Sequence, residues 1–409
     1  MRTRHSTLSA TEVQDYAHGL LRRHVRLKDY GPKCTASVVY TVLLYAASLA
    51  STIAQACRSL RGVPCDQSIY DALDDTLPAR LQLQERLNRS LRAAVPRAVR
   101  KGKRAAKLAI DLVLLPYYGK PDPADDMIYK GQEKAGTHYH HAYATVYLVR
   151  KGRRFTLGMM AVRHDMPWDY IVKTLLRMAR KVVPAIELVL VDRGFYSVAV
   201  IRYLQRARYR FIMPVIGRGR KSDHPRGASG TNVFFTWRKS GWGRYQLTER
   251  NDRDKASFDI AVKVRRKVAK RPGSKKGPKR VQVYACWGVR GRSADWVNQT
   301  YRSRRIEWLR QTYRGRFGIE TSYRQMNQGR AWTTSTKPAR RLLLVGLALL
   351  LRNVWALLHL VVLAQRRRGG VRLRAELLSL PAMLRWIACA LEEQFGFCDS
   401  IDVEHEFIL

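Results

Sequence analysis

Between residues 105 and 216, short apolar runs alternate with amphipathic segments, and this alternation restricts the fold more than any other feature. The runs 107–119, Ile186–Val191 and 210–215 are short and apolar, and the first ends at a proline and a glycine, as buried strands do. The intervening segments 168–183 and 197–207 have helical spacing. This order of elements predicts a mixed α/β core around a buried central sheet.

Two further groups of strands follow from composition. Residues 138–150 are rich in β-branched and aromatic side chains, and residues 154–163 form the predicted antiparallel partner of that strand. Residues 217–300 break the alternation of strands and helices. Four strand-like runs there are joined by loops rich in Gly, Lys and Arg: 233–237, 244–248, 258–266 and 280–289. We interpret 217–300 as an inserted β subdomain.

The charge of the chain indicates its class of partner. There are 76 Lys and Arg residues against 32 Asp and Glu residues, a formal net charge of +44 that is spread along the sequence. A folded protein this basic is expected to bind a polyanion, and nucleic acid is the first candidate. The six cysteines form no CxxC pair, and the first residues lack the apolar core of a signal peptide. We expect a cytoplasmic, nucleoid-associated protein.

The N-terminal hundred residues have helical periodicity. Residues 52–73 resemble a helix-turn-helix with its turn near Gly62, but a plain helical bundle has the same pattern, so both interpretations stay open. The predicted organisation has five parts: a helical DNA-binding domain at 1–104, a first part of the catalytic core at 105–216, the β subdomain at 217–300, a second part of the core at 301–365 and a helical segment at 366–409.

Residues 342–364 form an apolar run that is long enough to span a bilayer. Arg352 and Asn353 lie at its centre, where a lone charge in lipid is costly. We therefore predict a buried helix that packs on the sheet and is kinked or interrupted near Arg352, and we expect no membrane association.

Three carboxylates occupy informative positions. Asp111 lies inside the apolar strand KLAIDLVLL, and Asp192 ends the strand ELVLVD, at the edge where open α/β sheets present their sites. Glu320 belongs to a later helix, predicted over 307–330, that can lie against the sheet. Converging acids of this kind can hold two divalent metal ions, which suit phosphodiester chemistry. Each acid could equally be an ordinary core or surface carboxylate.

The stretch 313–327, YRGRFGIETSYRQMN, has polar residues at offsets of three, four and seven, so a helix would carry them on one face. They are Tyr313, Arg316, Glu320, Tyr323 or Arg324, and Asn327. A carboxylate among arginines suits a metal ligand beside phosphate-binding cations. A salt-bridged surface helix would have the same composition.

Together these motifs resemble the DDE transposases of prokaryotic insertion sequences, which have a ribonuclease H-like (retroviral integrase-like) catalytic domain. Their Y-x2-R-x3-E-x6-K signature matches at Tyr313, Arg316 and Glu320, and Asn327 stands where the signature has lysine. The segments around Asp111 and Asp192 look like the strands that carry the family's two aspartates. The resemblance covers about residues 105–365 and includes the β insertion.

The resemblance implies an enzyme that binds terminal inverted repeats, hydrolyses the strand ends and joins the 3′ hydroxyls to target DNA. Asp111, Asp192 and Glu320 would hold two Mg²⁺ ions, for which Mn²⁺ can substitute. Contacts with DNA are expected from a second set of residues: Tyr313, Arg316, Arg324, Asn327 and Arg193. Acting on two ends implies at least a homodimer. Two alternatives stay open, a ribonuclease H-like nuclease without strand transfer and a domesticated, non-catalytic DNA-binding protein.

Overall fold

Helices form both ends of the chain and flank a sheet in its middle. The computed structural model describes residues 7–102, 105–121, 127–150, 154–249, 254–266, 279–290, 298–367, 370–374 and 376–400. The helices are α1 (Ala10–His24), α2 (Ala36–Ser48), α3 (Ile53–Ser59), α4 (Asp66–Thr76), α5 (Arg80–Ala93), α6 (Arg97–Arg100), α7 (Trp168–Arg180), α8 (Val198–Arg206), α9 (Asn232–Phe235), α10 (Gln299–Arg314), α11 (Gly318–Gln328), α12 (Pro338–Val361) and α13 (Leu380–Phe395). The strands are β1 (Ala106–Pro116), β2 (Tyr129–Lys134), β3 (Thr137–Leu148), β4 (Thr156–Val162), β5 (Ile186–Val191), β6 (Phe211–Pro214), β7 (Gly241–Thr248), β8 (Lys255–Arg266), β9 (Lys279–Trp287), β10 (Gln365–Arg367) and β11 (Gly370–Arg372).

The predicted N-terminal helices are present, and side-chain caps mark several of their starts. Ser9 and Glu12 form a reciprocal capping box at α1, and Thr35 and Thr52 cap α2 and α3. Gly62, at φ +67°, lies in the turn between α3 and α4. A helix, turn and second helix therefore occupy the expected stretch, and a DNA-binding role for this segment stays a prediction.

The N-terminal and C-terminal helices share one core. Buried side chains of α1, α2 and α5 pack together with those of α12 and α13. The Tyr45 hydroxyl donates to Glu392 Oε1 (2.8 Å), and the backbone N–H of Arg61 donates to the carbonyl of Gly396 (3.0 Å). This helical layer also contacts the sheet, since the Asn88 side chain hydrogen-bonds the backbone of Met159 in both directions.

A mixed sheet forms the centre of the chain, as the sequence predicts. Its strand order is β2-β3-β1-β5-β6-β9-β8-β7, and β4 also pairs with β3. Strands β1, β5 and β6 are parallel, whereas β3 is antiparallel to β1. Hydrophobic side chains cover both faces of the sheet. The carboxyl end of β5 lies beside the middle of β1, where Ile110 pairs with Val191.

Strands β7, β8 and β9 continue this sheet beyond β6 through the pairing of β6 with β9. The strand predicted at 233–237 is wrong, because Asn232–Phe235 forms one helical turn. Phe234 is buried there against Trp237 and Tyr245. A short apolar run can bury an aromatic side chain either from a strand or from a helical turn, so the sequence pattern did not distinguish the two. The boundaries of an inserted subdomain, like the other domain limits, stay predictions.

Helix α12 is the long apolar segment. It runs through Arg352 without a break, so an interruption there is wrong, while a kink stays a prediction. By length and composition it could cross a membrane, but most of its apolar window is buried in the fold. Asn353 hydrogen-bonds the backbone of Thr156 on β4, and Arg352 donates to the Tyr147 hydroxyl (2.7 Å) and to the carbonyl of Arg154. Both polar side chains are thus paired inside the protein.

Candidate active site

The register of the sheet brings two carboxylates together. Ile110 on β1 pairs with Val191 on β5, so Asp111 and Asp192 are the next residues on adjacent parallel strands. Both side chains project from the same face, because side chains alternate along a strand. Asp111 is buried, whereas Asp192 is half-buried and accepts a hydrogen bond from the N–H of Gly194 (3.2 Å).

The third carboxylate arrives through a break between two helices. The helix predicted over 307–330 is divided in the structure: α10 ends at Arg314, Gly315–Phe317 forms a 3-10 turn, and α11 begins at Gly318. Gly318 lies close to the Arg154 side chain, which a Cβ atom there would meet at 2.9 Å. The backbone therefore approaches the end of the β3–β4 hairpin at this point, and Glu320 follows in the first turn of α11.

Arg316, on that 3-10 turn, contacts all three carboxylates. Its Nη1 lies 2.8 Å from Asp111 Oδ2, and its Nη2 lies 2.9 Å from Asp192 Oδ1 and 3.3 Å from Glu320 Oε1. The Arg316 side chain is only 7% exposed, against 48% for Glu320. One buried cation thus holds the three acids around a common point.

Two tyrosines fix the surroundings of Arg316. The buried Tyr313 hydroxyl donates to the carbonyl of Val191 (3.3 Å), and its ring centroid lies 5.6 Å from the Arg316 guanidinium. The Tyr323 hydroxyl lies 2.7 Å from the hydroxyl of Thr145, the β3 residue that pairs with Asp111. These contacts anchor α10 and α11 to the strands that carry the aspartates.

Burial dominates the electrostatics of the cluster. It raises the pKa of Asp111 to about 6, and the charges of Asp192 and Glu320 act in the same direction, while Arg316 opposes the shift. For Arg316 burial works to lower the pKa, but Tyr313 and the neighbouring acids outweigh it, and the pKa is raised. Arg316 therefore stays charged while Asp111 gains a proton at mildly acidic pH.

The donor set suits a hard divalent cation, since carboxylate oxygens are the ligands that Mg²⁺ and Mn²⁺ prefer. In the described part of the chain, no group of three His, Cys, Asp or Glu side chains is close enough together to bind a metal as placed. The acids instead converge on the guanidinium of Arg316. The residues fit a divalent cation that replaces Arg316 as the partner of the three carboxylates.

The residues predicted to contact DNA divide into two groups. Tyr313 and Arg316 are buried and bonded within the protein, whereas Arg193, Arg324 and Asn327 are exposed. Asn327 accepts a hydrogen bond from Arg330 Nε (3.3 Å). No contact with DNA is tested by these placements, so all five assignments stay predictions.

Sequence reasoning missed an aromatic cavity beside the acids. A cavity of about 560 Å³ is lined by Asp111 and Asp192 together with Tyr129, Trp168 and Phe195. The Trp168 and Phe195 rings lie 5.0 Å apart, edge to face. Trp168 is the first residue of α7 and Phe195 follows β5, so their positions in the sequence do not show that they meet. Their aromatic character was the one feature that indicated an apolar site.

Comparison with known proteins identifies the family. Residues 108–354, which include all three acids, match the family model described as the transposase DDE domain. No curated protein matches the chain. Among solved structures, the chain is similar to the piggyBac transposase in a synaptic complex with hairpin DNA, at 14% identity, with 97% of this chain and 75% of that chain covered and a TM-score of 0.47. Since the family model spans more than half of its length, the chain belongs to the transposase DDE domain family.

Proposed function

We propose that this protein is an insertion-sequence transposase that hydrolyses the strand ends of its element and joins the 3′ hydroxyls to target DNA. The observation that carries the proposal is the convergence of Asp111, Asp192 and Glu320, from three separate elements, on one buried cation. Isolated structural carboxylates would pair with separate partners. Three acids around one positive point are arranged as a cation-binding site.

The proposal includes a ribonuclease H-like core. Strands β4, β3, β1, β5 and β6 are neighbours in that order, with β3 antiparallel to the parallel strands β1 and β5. This order supports the assignment because it gives the aspartates two adjacent parallel strands. We further propose that residues 1–104 form a DNA-binding domain and that residues 217–300 form an insertion in the core.

Asp111, Asp192 and Glu320 would hold two Mg²⁺ ions, or Mn²⁺ in their place. Such ions, when bound, activate the attacking water or hydroxyl and stabilise the leaving oxygen at a phosphodiester. The protein contributes the geometry: β1 and β5 fix the aspartates, and the Tyr313 bond to Val191 holds the end of α10, from which the 3-10 turn leads to Glu320 on α11. When a cation and DNA arrive, Arg316 would have to release the three acids, which would then close around the cation.

DNA is the proposed partner, with the terminal inverted repeats of the element as the bound sequence. The net charge of +44 provides the long-range attraction, and the exposed side chains of Arg193, Arg324 and Asn327 would bond phosphate oxygens. We propose a homodimer as the active form, since two ends must be joined, and a cytoplasmic, nucleoid-associated location.

The test is cleavage of a labelled duplex that carries an end of the element, with Mg²⁺ or with EDTA. Wild type should nick at the element boundary only with metal, and Asp192→Asn should abolish nicking while end binding stays nearly intact. Asp165→Asn is the matched control, because Asp165 is exposed and pairs only with nearby Arg163 among the described side chains. Metal-independent cutting that survives in Asp192→Asn would refute the assignment.

Strand transfer needs its own assay, with pre-cut ends and a supercoiled target. Joined product should appear with wild type and be absent with Asp192→Asn. Nicking without any joining would instead identify a nuclease, and tight binding without cutting under Mg²⁺ or Mn²⁺ would identify a non-catalytic DNA-binding protein.

A further inference from the structure

A second charged cavity lies away from the acids. It measures about 530 Å³ and is formed by β7, β8, the end of β9, the residue before β6 and the first half of α10. Its lining includes four arginines, one carboxylate and one indole: Arg210, Arg244, Arg290, Arg305, Asp259 and Trp287. The predictions made from the sequence assign no role to any of these residues.

The cations of this cavity are only partly compensated. Arg290 Nη1 lies 3.5 Å from Asp259 Oδ1, and Arg305 donates to the carbonyl of Val289 (2.6 Å) with its guanidinium 3.9 Å from the Trp308 ring. The described residues place no carboxylate within ion-pair distance of Arg210 or Arg244. Arg210 and Arg244 thus bring two positive charges to the cavity that no described carboxylate neutralises at ion-pair distance.

The arginines also crowd one another. Burial lowers the pKa of Arg305, and the charge of Arg210 acts in the same direction. Gly288 lets the backbone pass close to Arg210, since a Cβ atom there would lie 2.9 Å from Arg210 Cγ. Like charges held together in a partly desolvated cavity repel one another, and an anion placed between them removes that repulsion.

The cavity opens on the same face of the sheet as the acids. Asp259 alternates with Phe258 and Ile260, which pack on the opposite face, so Asp259 points toward α10, as Asp111 does. Helix α10 leads from Arg305 at the cavity to the turn that carries Arg316. At a rise of 1.5 Å per residue, Arg305 and Arg316 are about 16 Å apart along the axis of α10. The strand spacing across β5, β6, β9 and β8 gives a similar separation.

We propose that this cavity binds a backbone phosphate of the DNA on which the acids act, about 16 Å from the reacting phosphodiester. The inference rests on the proposed function for the identity of the polyanion. Arginine forks match phosphate oxygens in pairs, and Arg210 and Arg244 are exposed for such a contact. With a rise of about 3.4 Å per base pair, the contacted phosphate lies roughly five base pairs from the cleaved bond. The contact would fix the register of the duplex on the protein.

The experiment measures binding of an element-end duplex by fluorescence anisotropy in EDTA over a series of salt concentrations, so that it does not depend on cleavage. Arg210→Gln/Arg244→Gln should weaken binding about tenfold and reduce the slope of log K against log salt by about one. The matched control is Arg177→Gln/Arg180→Gln, which removes equal charge from exposed positions on α7, against the other face of the sheet. Melting temperatures of both double variants confirm folding.

A methylphosphonate scan locates the contact. A single neutral linkage about five base pairs from the cleaved bond should weaken wild type and leave the Arg210→Gln/Arg244→Gln variant unchanged. Equal slopes for the two double variants, or no linkage that distinguishes wild type from the variant, would overturn the proposal.

Inorganic phosphate is the second probe: if calorimetry shows that it binds this cavity while the DNA slope is unaltered, the site takes a free phosphate compound and the DNA assignment is wrong. Loss of cleavage with this contact intact would count only against the proposed function.

Discussion

Replacing Arg316 by methionine removes the side chain that contacts all three acids while keeping an unbranched chain of similar length. The pair with Asp111 is the costly one to break, since those side chains are only 7% and 11% exposed. Removing one partner of a buried ion pair costs about 3–5 kcal/mol. The pairs with Asp192 and Glu320 are more exposed, so each contributes less than about 1 kcal/mol.

The stability lost in Arg316→Met should depend on pH, because the pKa of Asp111 is raised to about 6. At pH 8 Asp111 is charged, and Arg316→Met should lower the free energy of unfolding by about 3 kcal/mol or more. At pH 5 Asp111 is largely neutral, and the loss should shrink to about 1 kcal/mol. Urea unfolding at the two pH values measures both quantities. Arg89→Met is the control, since its exposed pair with Glu85 should contribute about 0.5 kcal/mol or less at either pH.

The same variant tests whether a metal takes over the carboxylates. Without the competing guanidinium, Mg²⁺ should raise the melting temperature of Arg316→Met more than that of wild type, and Mn²⁺ titrated by electron paramagnetic resonance should bind the variant more tightly. A variant as stable as wild type at pH 8, or one with the same response to Mg²⁺, would refute the view that Arg316 serves as the counter-cation of the acids.

Three further predictions concern Asp111, close packing at α12 and the apolar character of that helix. Because the pKa of Asp111 is raised, the folded state holds its proton more tightly than the unfolded chain. Wild type should therefore lose stability relative to Asp111→Asn as pH rises from about 4 to about 6, by up to about 3 kcal/mol in urea unfolding; a difference that does not vary with pH would contradict this. Gly346→Ala should destabilise by about 1–3 kcal/mol, since the new Cβ would meet Leu87 at 2.6 Å, whereas Gly19→Ala on α1, with 3.7 Å to its nearest neighbour, should stabilise by up to about 1 kcal/mol. Because α12 is mostly buried, the protein should stay in the soluble fraction in high salt without detergent; recovery only in the membrane pellet would reverse that expectation.

The sheet was predictable because its strands are punctuated in the sequence. Apolar runs that end at prolines, glycines or acids gave β1 and β5 with small errors, and the parallel pairing of these two strands places Asp111 beside Asp192. The break between α10 and α11 was not predictable, because the helical spacing of polar residues continues through it. Its cause is tertiary: Gly315 and Gly318 pack closely on Val149 and Arg154 of the β3–β4 hairpin.

The partners of Arg316 were equally hidden. An arginine beside an acid on a predicted helix is typical of a surface pair or a phosphate contact, and sequence spacing cannot show that Asp111, some 200 residues away, completes the pair. The shared core of the N-terminal and C-terminal helices could not be predicted either, because no sequence pattern links residues such as Tyr45 and Glu392, which are hydrogen-bonded in the structure.

The spacing Tyr-x2-Arg-x3-Glu can be understood from these contacts. Tyr313 bonds the carbonyl of Val191 from the last turn of α10, and the 3-10 turn that follows aims Arg316 at the aspartate next to that carbonyl. Glu320 then lies one helical turn further on, at the distance where Arg316 still reaches it. Asn327, which departs from the family signature, lies outside this cluster on the exposed side of α11. The departure therefore leaves the arrangement of the three acids intact, and its effect should be confined to the DNA contacts that we propose for Arg324 and Asn327.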